Sequence, residues 1–333
     1  MSETVARPGP VAVPVSGGGV AVGAARIMPE TPLIDVMGGA ARHEFKVLDH
    51  GFIALVDVMP RLVPEGQTGD AAIVQAARVS YGHGTKKINE DRGLIRYLLR
   101  HRHTTPLEMV EFKFHVAMPI FIARQWIRHR TANVNEYSGR YSIMPDRFYR
   151  PTIDQVRKQS SGNRQGGSER FVVTGEADAG GGSGGVGGAP RGGDESMTAQ
   201  AFMEFLAESE SMYEKYRDLT ERGVSREMAR MGLPVSLYTE WYWKCDLHNV
   251  LRFLSLRMDA HAQEEIRAYA RAMHDLIAPI VPMTMEAWRD YELESLHLTR
   301  LEIEALRGGE REIATDNKRE QAEWAEKRAK LGL

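Results

Sequence analysis

A cluster of arginines in the middle of the chain has the clearest chemical meaning. Arg128, His129 and Arg130 are followed, after seven intervening residues, by Ser138. Residues 124–150 contain six arginines and only two acids, although the whole chain has a formal net charge of -2. The guanidinium group keeps its charge and binds phosphate or carboxylate through two parallel hydrogen bonds. The cluster therefore indicates a site for a small anionic ligand.

The residues on either side of the cluster supply the other groups that such a site needs. Arg124 and Arg128 are four apart, so they share one face of a helix. Ser138 and the backbone amides near Gly139 are neutral donors for a phosphate, and Glu136 is an acceptor for a base or a ribose hydroxyl. A basic run alone is more typical of a solvated surface patch, but the polar loop at this spacing favours a binding site.

The elements that must position these residues follow from the apolar pattern, which predicts an α+β fold. Alternation predicts a strand within residues 45–59, with a hairpin around residues 49–51 as an alternative, and a second strand within residues 110–116. Apolar stripes with caps and prolines predict helices over residues 70–80, 91–100, 120–128, 197–222, 225–231, 247–257 and 260–277.

Two segments interrupt the globular pattern, and a third ends the chain. Residues 1–41 are rich in Pro, Gly, Ala and Val, which predicts a flexible tail. Residues 153–195 contain a glycine-rich run at 180–188 that cannot bury enough apolar surface to offset its ordering entropy, so we expect a disordered surface insertion. A linker between two domains and a functional lid remain alternatives. Residues 301–333 are highly charged and are expected to form a C-terminal extension.

Composition limits the class of protein. A hydrophobic content of 42% and a charged content of 26% are those of a globular chain. No stretch approaches the roughly 20 apolar residues of a membrane span, so no membrane association is expected. The N-terminus lacks the basic start and apolar centre of a signal peptide, which predicts a cytoplasmic protein. Cys245 is the only cysteine, and this excludes an internal disulfide or a multi-cysteine zinc site.

Further blocks of sequence give the arginine cluster a family context. With residues 123–141 they occur in a fixed order along most of residues 48–288. The blocks are Ala77-Arg78-Val79-Ser80, His103-Thr104-Thr105-Pro106-Leu107-Glu108, Ser225-Arg226-Glu227-Met228-Ala229-Arg230 with Leu233-Pro234, and Leu256 to Ile266. Together they resemble the motifs of the flavin-dependent thymidylate synthase family.

The resemblance implies a fold and a reaction. It implies one catalytic domain over residues 42–300, with a central antiparallel sheet flanked by helices, in a homotetramer with active sites at subunit interfaces. FAD and deoxyuridine monophosphate (dUMP) would bind there together. Methylenetetrahydrofolate would donate the one-carbon unit, NADPH would reduce the flavin, and uracil C5 would be methylated to give thymidylate.

The resemblance also assigns roles to individual residues. The residues expected to contact FAD are Ser80, His103, Thr105, Glu108, Arg128, His129, Arg130, Glu136, His248 and Arg252. Those expected to hold dUMP are Gln125, Arg128, Glu136, Ser138, Gly139, Arg140, Arg230 and Arg257. Arg257, Ser138 and His103 are the expected catalytic residues. Arg257 would polarise the uracil carbonyl, and Ser138 would donate a hydrogen bond and not act as a nucleophile.

The chain departs from the family pattern at the start of one predicted helix. Asp246-Leu247-His248 stands where the family has Asn-x-Arg, and Arg252 stands where it has Asn. A carboxylate at position 246 would change the direction of a hydrogen bond toward the flavin.

Other classes of function have weaker support. A zinc site would have to use His101, His103, His129 and His261, but none of these has helical metal-ligand spacing, and neighbouring arginines repel a cation. A nucleic-acid-binding domain is usually basic overall, and this chain is slightly acidic. The surroundings of Cys245 do not resemble those of a covalent thymidylate synthase nucleophile, so a structural thiol is favoured. A structural scaffold that binds no ligand, called here an idle scaffold, would require the arginine cluster to be ion-paired within the protein.

Overall fold

The computed structural model describes residues 24–26, 43–79, 91–160, 166–173 and 192–333. The strands are β1 Ala24–Arg26, β2 His43–Val47, β3 Gly51–Met59, β4 Leu62–Pro64, β5 Glu111–Pro119, β6 Asn133–Glu136, β7 Arg157–Gln159, β8 Gly167–Arg170 and β9 Tyr238–Asp246. The helices are α1 Asp70–Val79, α2 Asp91–Arg100, α3 Ile120–Trp126, α4 Gly192–Glu210, α5 Met212–Glu221, α6 Arg226–Ala229, α7 Leu247–Arg257, α8 Glu264–Ile277, α9 Pro282–Trp288, α10 Arg300–Gly308 and α11 Lys318–Leu331.

A five-stranded antiparallel sheet, in the order β2-β3-β5-β9-β6, lies at the centre of the fold. Its strands alternate between a buried and a more exposed face. In β5, Phe112, Phe114 and Val116 are fully buried, while Lys113 and His115 between them are partly exposed. The helices α1, α2, α3, α7, α8 and α9 contribute to the core that covers the buried face. The predicted α+β fold with a central antiparallel sheet is therefore confirmed.

Most predicted helices are present, and two differ for a physical reason. The helix predicted over residues 197–222 is broken at Ser211, between α4 and α5. The hydroxyls of Ser209 and Ser211 bond back to the carbonyls of Phe205 and Glu208, a pattern that competes with the helical ladder.

The helix predicted from residue 260 starts later, at Glu264. The Asp259 carboxylate accepts from the backbone N–H of His261 at 2.8 Å and lies 2.9 Å from its ring Nδ1. This local bonding holds residues 259–261 in a loop.

The segment predicted to be a disordered insertion has regular structure at its described ends. It contains a 3-10 turn at Ile153–Gln155, the β7–β8 hairpin and the first turn of α4. Ion pairs and short-range pairing offset the ordering entropy there, as shown by Lys158 Nζ, which lies 2.6 Å from Glu195 Oε1. The glycine-rich run at 180–188 lies outside the described residues. So does the predicted tail, apart from Ala24–Arg26, which pairs with β4.

The charged C-terminal residues form two helices around a small core of their own. Ala305, Ile313 and Trp324 are buried against one another, and Lys327 pairs with the buried Glu302 at 2.9 Å. Among the residues described, no helix is long and apolar enough to cross a membrane.

Candidate active site

The guanidinium of Arg257, at the end of α7, is held from two sides. Its Nε donates to His129 Nε2 at 3.0 Å, and its NH2 nitrogen donates to the Gln125 carbonyl oxygen at 3.1 Å. The side chain is partly buried, and burial lowers the pKa of Arg257 from its usual value. A cation fixed in this way is suited to face a group on which negative charge develops.

His129 is held in its neutral form. Burial, helped by the charges of Arg257 and Arg252, lowers its pKa to about 4. Because Nε2 accepts from Arg257, the single proton of the ring resides on Nδ1. The ring also meets the fully buried Phe253 edge-on at 4.9 Å, so His129 has a fixed orientation.

The helix that precedes the arginine cluster is anchored by Trp126. This side chain is fully buried and stacks on Phe253 of α7, with ring centroids 4.6 Å apart. The backbone N–H of His129 then bonds to the Trp126 carbonyl as α3 ends. The contact between α3 and α7 thus brings residues 125–129 to the end of α7, where Arg257 lies.

Gln263 is a residue of this region to which the sequence analysis gave no role. The Nε2 of Gln125 donates to its Oε1, which joins α3 to the loop before α8. Gln263 lies inside the Leu256–Ile266 block, so the family motif could have singled it out as a candidate site residue. Its contact with Gln125 could not be predicted, because the two residues are 138 positions apart in the sequence.

Four residues predicted to hold dUMP lie together, namely Ser138, Gly139, Arg140 and Arg230. A Cβ added at Gly139 would come 2.7 Å from Met144 Sδ and 3.2 Å from Arg230 Cδ. A side chain at position 139 would therefore displace Met144 and press against Arg230, so glycine suits this close packing. Ser138 Oγ accepts from the backbone N–H of Arg140 at 3.3 Å.

Glu227 is a second residue that the sequence analysis did not assign. Its Oε2 lies 3.1 Å from Arg140 Nε, with both side chains more than half exposed. This carboxylate occupies one edge of a guanidinium that was predicted to hold dUMP.

Glu136, at the end of β6, lies next to β9. Its Oε1 accepts from the hydroxyl of the buried Thr239 at 2.8 Å. The second carboxylate oxygen accepts no hydrogen bond from the residues that the structure describes, so it remains available to a ligand.

The residues predicted near the flavin include a turn after α2. His103 N–H bonds to the Leu98 carbonyl at 2.8 Å and closes α2 around Arg102, whose φ is 57°. Thr105 and Glu108 lie in the 3-10 turn Thr105–Met109, which packs against α7. Ser80 lies outside the described residues.

Five of the exposed arginines at or near the predicted site lack a carboxylate partner among the residues that the structure describes. They are Arg124, Arg128, Arg130, Arg230 and Arg252. An idle scaffold would have paired them, as Arg150 is paired with Glu210 elsewhere. Their donors are therefore available to an anionic ligand.

Asp246 has a local role that differs from the expected one. It caps α7, since Oδ1 accepts from the backbone N–H of Asn249 at 3.0 Å and Oδ2 accepts from Asn249 Nδ2 at 2.8 Å. Both carboxylate oxygens are engaged by the helix start. His248 follows in the first turn of α7 and is partly exposed.

The predicted site residues form two separate sets, one around Arg257 and one around Ser138. These sets are not joined within the described residues of one chain. No hydrogen bond or ion pair there links Arg257 and His129 with Ser138, Arg140 or Arg230. His103 contacts Tyr97, with ring centroids 5.6 Å apart, and not Arg257.

Cys245 and the histidines do not form an alternative reactive centre. The thiol donates to the Thr131 carbonyl at 3.2 Å, and burial raises its pKa far above the usual range. A buried thiol of this kind is not a ready nucleophile. Across the described ranges, no three His, Cys, Asp or Glu side chains converge as metal ligands would.

Comparison with known proteins decides the family. The model of the family described as "Thymidylate synthase complementing protein" matches residues 61–283, which is more than half of the chain. The chain belongs to this family. A flavin-dependent thymidylate synthase of Dictyostelium discoideum is 58% identical over 306 residues, which are 92% of this chain and 93% of that protein. One from Thermus thermophilus is 50% identical over 262 residues, which are 79% of this chain and 84% of that protein.

A solved structure agrees with the thymidylate synthase assignment. The UMP/dUMP methylase PolB from Streptomyces cacaoi, bound with 5-Br UMP, aligns with a TM-score of 0.56 at 30% identity. The alignment covers 75% of this chain and 99% of that chain. The resemblance to the flavin-dependent thymidylate synthases is thus confirmed, and so is the prediction of an enzyme.

Proposed function

We propose that this enzyme reductively methylates dUMP at C5 to give thymidylate, with methylenetetrahydrofolate as one-carbon donor and NADPH-reduced FAD as reductant. The observation that carries the proposal is the fixed Arg257 cation, with five exposed arginines free of carboxylates around the family motifs. The relatives named as flavin-dependent thymidylate synthases and the PolB methylase support it.

The nucleotide would be held by its phosphate and its base. A nucleoside monophosphate is nearly a dianion, and Arg140, Arg230 and the Ser138 hydroxyl would neutralise it through charge-assisted hydrogen bonds. Arg257 would face a uracil carbonyl and stabilise the negative charge that develops as C5 attacks. Neutral His129 serves this step as a positioning residue, because it accepts from Arg257 and adds no competing charge.

The residues present fit FAD. Arg128, Arg130 and Arg252 are exposed and without carboxylate partners in the described chain, as a pyrophosphate requires. His103, Thr105 and Glu108 add neutral and anionic hydrogen-bonding groups on the turn beside α7. When bound, FAD supplies the redox chemistry, so no side chain need act as a covalent nucleophile.

A homotetramer with active sites at subunit interfaces belongs to the same proposal. Ser138, Arg140 and Arg230 would bind the phosphate, whereas Arg257 and His129 would act on the base. These two sets of residues make no direct bond within the described chain. The site would be complete if one subunit supplied the first set and a second subunit supplied the other.

Tritium release tests the proposed reaction. The purified protein should be yellow from bound flavin, and it should release tritium from C5-labelled dUMP only with both methylenetetrahydrofolate and NADPH. The Ser138→Ala variant should retain part of this release, because the hydroxyl is assigned a hydrogen bond and not a nucleophilic role. A colourless protein that releases no tritium under these conditions would rule the function out.

A further inference from the structure

Gln263 stands at the start of a helix without capping it. It occupies the N-cap position of α8, and its side chain makes no hydrogen bond to the first turn of that helix. Helix starts favour short polar side chains such as Ser, Asp and Asn, which accept from the free backbone N–H groups. The side chain of Gln263 instead reaches α3, where its Oε1 accepts from Gln125 Nε2. It therefore serves a contact in the candidate site and not the helix that begins there.

The loop that leads to Gln263 is held by its own hydrogen bonds. Asp259 accepts from the backbone N–H of His261 at 2.8 Å and lies 2.9 Å from the ring of the same residue. Arg267, in the first turn of α8, donates from NH1 to the carbonyl oxygen of Ala260 at 2.9 Å. These bonds fix the backbone on both sides of Gln263, so its amide meets Gln125 from a defined position.

The contact decides which atom Gln125 offers to a ligand. Its Nε2 is used for the bond to Gln263. No group in the described part of the chain donates to its side-chain oxygen, Oε1. An amide oxygen can only accept a hydrogen bond. Gln125 is therefore suited to an N–H or O–H group of the nucleotide and not to its phosphate oxygens.

The backbone of Gln125 places this acceptor at the base end of the site. Its carbonyl oxygen accepts from Arg257 NH2 at 3.1 Å. Among the described residues, Gln125 makes no bond to Ser138, Arg140 or Arg230, which would bind the phosphate. Under the proposed function Arg257 faces a uracil carbonyl. In uracil the N3–H lies between two carbonyl groups, so it is the donor next to that contact.

We infer that Gln263 is a positioning residue, which fixes the amide of Gln125 so that its oxygen accepts from the uracil N3–H. The inference rests on the proposed function, because it takes dUMP as the substrate. Cytosine carries an unprotonated nitrogen at N3, and the fixed Gln125 oxygen would face it as a second acceptor. The bond between the two glutamines thus selects uracil over cytosine nucleotides.

Calorimetric titration of the flavin-containing protein with dUMP and dCMP tests this selection. In Gln263→Ser the amide of Gln125 is free to turn, and its Nε2 can donate to cytosine N3. The ratio of the Kd for dCMP to the Kd for dUMP should therefore fall about fivefold or more from the wild-type ratio. Gln263→Glu keeps an acceptor for Gln125 Nε2 and should retain the wild-type ratio. The matched control is Glu264→Gln, which changes the next residue and its ion pair with Arg157 and should leave the ratio unchanged.

A third probe, 2′,3′-dideoxyuridine monophosphate, examines the other donor of the nucleotide, the ribose 3′-hydroxyl. Its Kd relative to that of dUMP should be the same in the wild type and in Gln263→Ser. If instead this ratio changes while the dCMP ratio stays constant, Gln125 binds the ribose, and the assignment to the base is wrong. An unchanged dCMP ratio in Gln263→Ser, or the same loss of selection in Gln263→Glu, overturns the positioning role.

The melting temperature separates this role from a structural one. Because Ser is a preferred N-cap residue, Gln263→Ser should melt no lower than the wild type. A lower melting temperature together with an unchanged Kd ratio would leave Gln263 with a structural role only, which overturns the inference. If the wild-type protein binds no dUMP at all, the proposed function itself has failed, which is a different outcome.

Discussion

At the scale of single residues, the site depends on which charges are paired and which are not. Arg257 is oriented by a neutral imidazole and a backbone carbonyl, so its full charge remains for a ligand. Arg140, in contrast, shares its charge with the exposed Glu227. The arrangement at Arg257 leads to a prediction about how stability depends on pH. The arrangement at Arg140 leads to a prediction about the affinity for dUMP.

His129 should make stability sensitive to mild acid. Its pKa in the folded state, about 4, lies below the ordinary value of 6.5. The stability that it contributes is therefore complete above pH 6.5 and is lost as the pH falls toward 4. In this range the histidine is protonated in the unfolded chain but stays neutral in the folded chain, which favours unfolding. Urea unfolding at pH 7.5 and pH 5 should show that His129→Gln, which keeps an acceptor for Arg257, loses about 1–2 kcal/mol less than the wild type. An equal loss in both proteins would remove this role from His129.

Glu227 should compete with the nucleotide phosphate for Arg140. In Glu227→Gln the ion pair is lost, while the shape of the side chain is kept. Since an exposed pair is worth about 0.2–1 kcal/mol, the Kd for dUMP should fall about two- to fivefold by calorimetric titration. Arg230→Ala should change the Kd in the opposite direction, because it removes a phosphate partner. Glu221→Gln, which breaks an exposed ion pair with Arg217 elsewhere, serves as the control. A Kd for dUMP that does not change in Glu227→Gln would show that Arg140 does not bind the phosphate.

At the scale of elements, Asp246 has a defined role at the start of α7. Its carboxylate caps the helix through Asn249. Asp and Asn are equally good caps, whereas Ala at this position costs about 1 kcal/mol. Denaturant unfolding should therefore show Asp246→Asn within a few tenths of a kcal/mol of wild type and Asp246→Ala about 1 kcal/mol less stable. The flavin content of the Asp246→Asn protein should match that of the wild type, and a clear gain would assign Asp246 to the flavin after all.

Local patterns predicted some of these elements better than others. The hairpin of β2 and β3 and the helices α1, α2 and α7 follow from periodicity and caps, which depend on neighbouring residues. The strand β9 was missed, although Trp241, Trp243 and Cys245 alternate with partly exposed residues just as β5 does. Its four aromatic residues, which fall on both faces of the strand, and its position before a predicted helix obscured the alternation. Conversely, Ser211 broke a long apolar stripe through hydroxyl bonds that periodicity does not contain.

The site shows the same division between local and distant information. Residues 138–140 are close in sequence, and their common location was predictable. The bond from Arg257 to His129 joins positions 128 apart, and it exists only because Trp126 and Phe253 pack α3 on α7.

At the scale of the whole molecule, the chain consists of a catalytic core and an appended pair of helices. The core cluster ends with α9 and the π-helical turn Arg289–Leu293 that follows it, while α10 and α11 bury Ala305, Ile313 and Trp324 among themselves. The family match also ends before this pair, at residue 283. The two parts therefore have separate hydrophobic cores.

A chain ending at Ser295 should consequently keep the catalytic fold. The truncation removes a separate core, but it also removes Lys330, whose charge acts on Asp259. Burial would raise the pKa of Asp259, but the two hydrogen bonds from His261 and the charge of Lys330 together lower it. Those two bonds remain after truncation, and a single exposed charge is worth at most about 1 kcal/mol, so the loop that carries Gln263 should keep its conformation. We expect cooperative thermal unfolding and a KM for dUMP within about fivefold of wild type, with Lys330→Ala in the full chain giving the same small change. If the truncated protein fails to bind flavin while Lys330→Ala behaves as wild type, α10 and α11 are part of the catalytic fold and not an appendage.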